Sequence, residues 1–262
     1  MAQLLATAIN NTRLEGKRLE QERVAGQLKM AADVQKRMLP QTLPMIANFE
    51  VAARYVPSFE LGGDFYDFID FQNSLGIAIA DVSGKGVAAS LLMAAVRSSL
   101  RAYAQDLYDL DMIISRVNQA LCRDTQANEF ATLLYGVLDP RTRRFTYSNA
   151  GHEPALLLRK GQIIRLEAGG MVVGVDPAQK FDKGILDFQK GDMVLFYTDG
   201  LMDAMNFERQ RFGRDRIISA FKECTDKTAG EALNHVLWEM RRFAGMSPRT
   251  DDNTMIVLKC VS

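Results

Sequence analysis

The sequence is poor in the residues that build disulfide-stabilised, zinc-binding or membrane-spanning proteins. Its cysteines, Cys122, Cys224 and Cys260, are odd in number, widely spaced and form no CxxC pair. A disulfide framework or a zinc site is therefore not expected, and a reducing cytoplasm fits. No apolar run approaches the roughly 20 residues that span a bilayer, and the N-terminus lacks a signal peptide's basic start and apolar core. We expect a cytoplasmic chain with no membrane insertion.

An excess of positive charge and a supply of histidine are also missing. The 32 basic residues balance 32 acidic ones, so nucleic-acid binding, which needs a basic surface, is not expected. With only His152 and His235 available, any metal would have to be held by carboxylates, which favours Mg²⁺ or Mn²⁺ over Zn²⁺. The 262 residues, 47% of them hydrophobic, suffice for one large globular domain or for a domain plus an appendage.

Residues 1–40 predict a long linker helix, because no proline interrupts them before Pro40. With Leu14 at heptad position a, five of the eight a and d positions are apolar. This pattern is compatible with a weak coiled coil and equally with a helix packed on its own domain. Residues 41–262 are predicted to form the main domain.

In the main domain, predicted strands come in runs, with a helix pair in the middle and two helices near the end. That order predicts an α+β fold with antiparallel sheets covered by helices. The predicted strands are 49–56, 64–71, 75–81, 131–138, 144–149, 155–159, 161–166, 184–188, 192–197 and 255–259. The predicted helices are 87–104, 111–123, 214–222 and 229–243, and Trp238 is assigned to the core face of the last one.

Aspartates recur at the edges of these strands. Asp81 ends the strand "GIAIA", Asp199 follows "MVLFYT", Asp251 and Asp252 precede "NTMIVL", and Asp64 follows a Gly-Gly turn. Several carboxylates converging beside a core would repel one another, so they need a cation. Hard cations such as Mg²⁺ and Mn²⁺ take oxygen ligands, and the adjacent glycines let the backbone approach the ions.

Other chemistry near "DVSGKG" is less well supported. The stretch lacks the first glycine of a P-loop, so a phosphate-binding loop is disfavoured. No Ser-His-Asp arrangement supports Ser83 as a nucleophile. We interpret His152 in "NAGHEP" as a structural hydrogen-bonding residue. Lys85 is interpreted as a solvated loop lysine, with contact to a phosphate as the alternative.

An ordered set of motifs carries a family resemblance. The motifs are "LGGDFYDF", "IADVSGKGVAASLLMA", "FATLLYGVLD", "FTYSNAGHEPALLL", "DMVLFYTDGLMDAMN", "FG" and "DDNTMIVL". From about Met38 to Val261, the chain resembles the PPM-type metal-dependent serine/threonine phosphatases, in particular their bacterial SpoIIE/RsbU-like branch. The segment "LLATAINNTRLE" is similar to the closing helix of a GAF sensor domain, which implies an upstream sensor domain.

The resemblance implies an antiparallel β-sandwich flanked by helices, with two Mn²⁺ or Mg²⁺ ions at one end. The implied metal ligands are Asp81, the carbonyl of Val82, Asp199, Asp252 and, through water, Asp64. Asp81 would bridge both ions, and Asp251 is assigned a supporting place behind the ligands. The implied reaction is attack of an activated water on a phosphoserine or phosphothreonine, without a covalent intermediate. The histidine that follows the first aspartate motif in the eukaryotic branch is replaced here by Ser83.

The implied substrate is a phosphorylated regulatory protein, such as an anti-sigma-factor antagonist of STAS type. We further expect a homodimer formed through residues 5–38, which would position the helix pair between Val87 and Arg123 as a switch. Two other functions stay open on the residues alone. One is a non-catalytic, partner-binding module with a phosphatase fold, and the other is a hydrolase of small phosphoesters.

Overall fold

The computed structural model describes the backbone of residues 1–106, 109–126 and 128–262, and the side chains of those ranges except 2–9 and 106. The chain divides into two compact units, Met1–Met38 and Leu39–Ser262. The side chains of residues 4–9, in the segment similar to a GAF closing helix, therefore lie outside the described residues. Within the described residues, no helix is both long and apolar enough to cross a membrane.

The first unit is one helix, α1 (Ala2–Met38), which ends just before Leu39 and Pro40. Proline disfavours the helical conformation in the residue before it, which accounts for this end point. Several apolar side chains of α1 are exposed in the single chain. They are Leu14, Leu19, Val24, Met30 and Val34.

The second unit contains the remaining helices and all the strands of the described residues. Its helices are α2 (Gly86–Asp106), α3 (Leu110–Asp124), α4 (Asp199–Met202), α5 (Gly213–Lys222) and α6 (Ala229–Ala244). Its strands are β1 (Phe49–Val56), β2 (Phe65–Asp70), β3 (Leu75–Val82), β4 (Ala131–Asp139), β5 (Arg144–Ala150), β6 (Ala155–Arg159), β7 (Gln162–Leu166), β8 (Gly169–Gly170), β9 (Gly184–Asp187), β10 (Met193–Tyr197) and β11 (Asn253–Cys260).

These strands form two sheets that face each other. One sheet has the order β1-β11-β10-β6-β7, and the other has the order β2-β3-β4-β5-β8, with β9 also paired to β5. One apolar core fills the space between the sheets. A second core joins β2, β3 and β4 to α2 and α3, and a third joins β6, β10 and β11 to α5 and α6. The predicted α+β sandwich flanked by helices is confirmed.

Local sequence chemistry explains the element boundaries. Strand β3 is buried at nearly every position because sheet core lies on one face and helix α2 on the other. Helix α6 starts with a capping box, in which the Thr228 side chain accepts from the Glu231 N–H and the Glu231 side chain accepts from the Thr228 N–H. The turn between β4 and β5 is stabilised by Asp139, whose Oδ1 accepts a 2.9 Å hydrogen bond from the Arg141 N–H.

Two short elements and one side chain differ from the sequence-based expectations. The two-residue strand β8 and the four-residue helix α4 were not predicted. The assignment of Trp238 to the core was wrong, since 53% of this residue is exposed and Arg242 lies over its ring. The core face of α6 passes through Val236 and Met240, and position 238 is rotated by about 200° from Val236.

Candidate metal centre

Two predicted site residues meet at one edge of the β2–β3 pair. Asp81 is the penultimate residue of β3, and Asp64 directly precedes β2, where Phe65 pairs with Ala80. Because β2 and β3 are antiparallel, this register places the two aspartates side by side. Asp64 is 2% exposed and Asp81 is half-buried, and the two carboxyl groups are close enough that the charge of Asp81 raises the pKa of Asp64.

The remaining predicted residues lie at the matching edge of the other sheet. Asp199 follows β10, Asp251 and Asp252 precede β11, and the two strands pair in antiparallel register up to Tyr197 with Met255. The backbone at Gly200 passes close to the backbone at Asp252, since a Cβ atom on Gly200 would lie 1.7 Å from the Asp252 carbonyl oxygen. Only glycine fits at position 200 without a backbone shift.

Two threonines join the sheet edges. The hydroxyl groups of Thr198 and Thr254, both on the β10–β11 side, donate to Asp64 Oδ2 over 2.7 and 2.6 Å. Both threonines are fully buried. Neither threonine was predicted from the sequence, although each lies within a motif quoted above, at "YTDG" or "DDNT". A hydroxyl residue beside a strand-end aspartate is the signal that could have found them.

The Asp252 carboxylate is occupied by hydrogen bonds from the protein. Its Oδ1 accepts from the N–H and hydroxyl of Ser58 over 2.8 and 3.0 Å, and its Oδ2 accepts from the Gly63 N–H over 2.9 Å. Asp252 is 5% exposed, and a Cβ atom on Gly62 would lie 2.2 Å from Oδ2. Asp252 therefore fastens the loop before Asp64 to the start of β11.

The neighbouring Asp251 is more accessible. Its side chain is 38% exposed, and Oδ2 lies 2.7 Å from Lys85 Nζ, which also donates to the carbonyl of Thr250 over 2.5 Å. The charge of Asp251 acts on both sheet edges, because it contributes to raising the pKa of Asp81 and of Asp199. Asp251 therefore lies near both of these carboxyl groups.

Burial and mutual repulsion raise the pKa values of the clustered carboxyl groups. Burial, reinforced by Asp81, raises the pKa of Asp64 well above its ordinary value. Burial and the charge of Asp199 raise the pKa of Asp81 to about 7. Burial and the charge of Asp251 raise the pKa of Asp199 to about 6. The set is short of positive charge and consists of oxygen donors, so it fits Mg²⁺ or Mn²⁺.

The backbone at the end of β3 brings a carbonyl oxygen to this space. Gly84 and Gly86 have φ angles of 92° and 72°, in the left-handed region that favours glycine. A Cβ atom on Gly63 would lie 2.9 Å from the carbonyl oxygen of Val82 and 3.7 Å from Asp81 Oδ1. The Val82 carbonyl, which the sequence analysis assigned to the metal site, therefore lies close to the Asp81 carboxyl group.

His152 and Ser83 have structural partners. His152 is 5% exposed, its N–H and carbonyl bond to the Asn149 side chain, and its Nδ1 lies 2.7 Å from the Thr132 hydroxyl. Burial lowers the pKa of His152 to about 4, so the ring is neutral at pH 7. The Ser83 hydroxyl accepts a 2.9 Å hydrogen bond from the Phe130 N–H. These contacts match the structural interpretation of His152 and give Ser83 no activating base.

In the part of the chain that the structure describes, no three strand-end aspartates bring carboxylate oxygens within 4.8 Å of one another, so they do not form a compact site for a single ion. Among the described residues, the only trio of ligand atoms within 4.8 Å of one another belongs to Glu223, His235 and Glu239, on the surface of α5 and α6. His235 pairs there with Glu223, and Glu239 pairs with Arg242. A wider oxygen set is compatible with hydrated cations, because Mg²⁺ keeps several waters and uses few protein ligands.

Comparison with known proteins places this arrangement in a family. The family model described as Stage II sporulation protein E (SpoIIE) matches residues 72–261. Phosphoserine phosphatase RsbU of Bacillus subtilis (strain 168) is 26% identical over 241 residues, which cover 91% of this chain and 71% of RsbU. The chain spans between 41% and 71% of the length of three curated relatives that it matches.

Solved structures share the fold. The SiaA-PP2C domain of Pseudomonas aeruginosa superposes with a TM-score of 0.81 at 19% identity, covering 91% of this chain and 98% of that one. The catalytic domain of the serine/threonine protein phosphatase PstP, solved with two manganese ions, gives a TM-score of 0.59 at 17% identity, covering 82% of this chain and 99% of that one. At these identities the structures establish the fold alone.

Proposed function

This chain belongs to the SpoIIE family of PP2C/PPM-type phosphatase domains, and we propose that it dephosphorylates phosphoserine or phosphothreonine in a regulatory protein with the help of divalent cations. The observation that carries the proposal is the convergence of aspartates from both sheets on one edge of the sandwich. The pKa values of Asp64, Asp81 and Asp199 are raised, so bound cations would favour the ionised forms of these three groups at neutral pH.

Asp81, the Val82 carbonyl, Asp199 and Asp251 would hold the cations, and Asp64 would act through water. This set exchanges the two roles that the sequence analysis gave to Asp251 and Asp252. The oxygens of Asp252 already accept hydrogen bonds from Ser58 and Gly63, whereas Asp251 is more exposed, with one oxygen paired to Lys85 and the other accepting from the Asp252 N–H. Manganese and magnesium both suit the oxygen donors, and two ions fit their spread.

Bound divalent cations supply Lewis acidity that activates water and offsets charge on phosphoryl oxygens. The chain's own residues prepare for this chemistry. Thr198 and Thr254 hold the orientation of Asp64, and the glycine turn places the Val82 carbonyl beside Asp81. Ser83 lacks a base and His152 is neutral and buried, so neither serves as nucleophile or acid. A water molecule would therefore have to supply the proton to the leaving group.

The substrate proposed is a phosphorylated protein of STAS type that antagonises an anti-sigma factor; the phosphoserine part is supported by the likeness to phosphoserine phosphatase RsbU, and the STAS type by the family resemblance of the motifs. Three substrates at saturating Mn²⁺ test this: a phosphoserine STAS-type protein, an unrelated phosphoserine peptide and p-nitrophenyl phosphate. A kcat/KM highest for the STAS-type protein supports the proposal. Preference for the small ester would favour a small-phosphoester hydrolase, and tight binding of the STAS-type protein without turnover would favour a non-catalytic binding module.

Regulation through α1 is part of the proposal. The exposed Leu14 and Val24 fall on the predicted heptad seam, where a second copy of the helix would cover them. Helices α2 and α3 follow the turn that carries Val82, so their position acts on the metal centre. Deleting residues 1–36 is expected to convert a dimer to a monomer and lower turnover. Unchanged dimer mass and turnover would refute this. The upstream sensor domain and the cytoplasmic location remain predictions from the sequence.

A further inference from the structure

Asp67 is a buried charge that the proposed reaction does not use. It lies in the middle of β2 and is 0% exposed. Its neighbours on the same face of the strand, Phe65 and Ile69, belong to the apolar core beneath α2. An ionised carboxylate in such a core is tolerated only when it is paired and hydrogen-bonded. The residues that pair with Asp67 therefore indicate what its position secures.

Two arginines of α2, one helical turn apart, converge on Asp67. Arg101 donates from Nε to Oδ2 over 2.6 Å and from Nη2 to Oδ1 over 2.7 Å, and Nη2 also donates to the Phe68 carbonyl over 3.1 Å. Arg97 Nε lies 3.0 Å from Asp67 Oδ2. A two-point contact with a planar guanidinium restricts both the distance between the two side chains and their relative orientation. The ion triad therefore fixes the height and rotation of α2 against β2.

The opposite end of α2 touches the metal centre. A Cβ atom on Gly63 would lie 3.4 Å from the Ala89 Cβ in the first turns of α2 and 2.9 Å from the Val82 carbonyl oxygen. Gly63 precedes Asp64, and Val82 is joined to α2 by the short glycine turn. A displacement of α2 would therefore press on the backbone next to Asp64 or pull the Val82 carbonyl away from Asp81.

We propose that Asp67 is a positioning residue for the metal centre: by holding Arg97 and Arg101, it keeps α2 where the Val82 carbonyl and Asp64 can serve the cations. The inference rests on the proposed function only in taking the aspartate cluster as a cation site. Asp67 touches neither cations nor substrate. Its effect is expected in cation affinity, because groups behind a ligand typically change metal affinity about 10–100-fold when they are mutated.

The test measures Mn²⁺ binding to the full chain by titration calorimetry, with no substrate present. Asp67→Asn is expected to weaken Mn²⁺ binding about tenfold. The matched control is Asp192→Asn. Asp192 is 2% exposed and is paired with Arg159, much as Asp67 is paired with Arg97 and Arg101. It directly precedes β10, at the end of that strand that is remote from Asp199. Asp192→Asn is expected to lower the melting temperature while leaving Mn²⁺ affinity unchanged.

A milder pair of variants covers the case in which Asp67→Asn does not fold. The Arg101 side chain is 42% exposed, so Arg101→Gln is compatible with folding and is expected to weaken Mn²⁺ binding, whereas Arg101→Lys retains the charge and most of the affinity. Wild-type affinity in Asp67→Asn or Arg101→Gln, or an equal loss in Asp192→Asn, would overturn the proposal. If the wild-type chain binds Mn²⁺ but releases no phosphate, the proposed function fails while this test still decides the role of Asp67.

Discussion

The Gly63 N–H donates a 2.9 Å hydrogen bond to Asp252 Oδ2 and so joins the loop before β2 to the start of β11. The two residues come from different sheets. The bond, together with those from Ser58, directs the Asp252 carboxylate into the protein and leaves Asp251 facing the carboxylate cluster. On the proposed function, the adjacent aspartates in "DDNT" would have different tasks, one in folding and one in cation binding.

This division predicts opposite effects of two single substitutions. Asp251→Asn should weaken Mn²⁺ binding at least tenfold and leave the metal-free melting temperature unchanged or higher, because it removes a repelling charge. Asp252→Asn should lower the free energy of unfolding of the metal-free protein by about 1.5–3 kcal/mol, because its hydrogen bonds are charge-assisted. Calorimetric Mn²⁺ titration and urea unfolding in EDTA measure the two effects. A large loss of stability in Asp251→Asn with normal Mn²⁺ affinity would reverse the assignment.

The raised pKa values predict how the metal-free protein responds to pH. Asp81 and Asp199 have folded pKa values of about 7 and 6, above those of unfolded aspartates. The folded state therefore binds more protons than the unfolded state, and stability falls as pH rises from about 4 through 7. We expect the free energy of unfolding in EDTA to fall by about 2 kcal/mol between pH 5 and pH 8, allowing for screening of the partly exposed Asp199.

Added Mn²⁺ should restore stability at pH 8, and Asp199→Asn should flatten the metal-free profile. Urea unfolding at four pH values in EDTA checks both statements. A free energy of unfolding that rises steadily from pH 5 to pH 8 would contradict the electrostatic description of the site.

The close approach at Gly200 predicts a steric effect. Gly200→Ala would place Cβ 1.7 Å from the Asp252 carbonyl oxygen, so backbone must move, and we expect a loss of about 1–3 kcal/mol in unfolding free energy. Gly230→Ala is the matched control, because Gly230 lies in α6 and a Cβ atom there would have nothing within 4 Å, and it should stabilise by up to about 1 kcal/mol. Thermal unfolding compares them. Equal melting temperatures would show that the β10–β11 edge is looser than described.

The strand and helix patterns predicted most of the fold because the long elements have clear periodicity. Strand β1 and helix α6 begin where the sequence places them, whereas β8 and α4 are too short to carry a period. The aspartates were found because each stands at a strand edge. The separate tasks of Asp251 and Asp252 were beyond sequence reasoning, since the partners Ser58 and Gly63 are distant in the chain.

The ion triad of Asp67, Arg97 and Arg101 was missed for a similar reason. An aspartate within "GGDFYDF" looks like an ordinary polar residue of a half-exposed strand. Its burial follows only from the placement of α2 over β2, which requires the tertiary fold.

The most direct test of the account is release of inorganic phosphate from a phosphoserine STAS-type protein as a function of Mn²⁺ concentration. We predict release that saturates with Mn²⁺, stops on chelation with EDTA and is absent in Asp199→Asn, although that variant stays folded. Release that persists in EDTA, or an Asp199→Asn variant as active as the wild-type chain, would contradict a cation-dependent centre built from the strand-end aspartates.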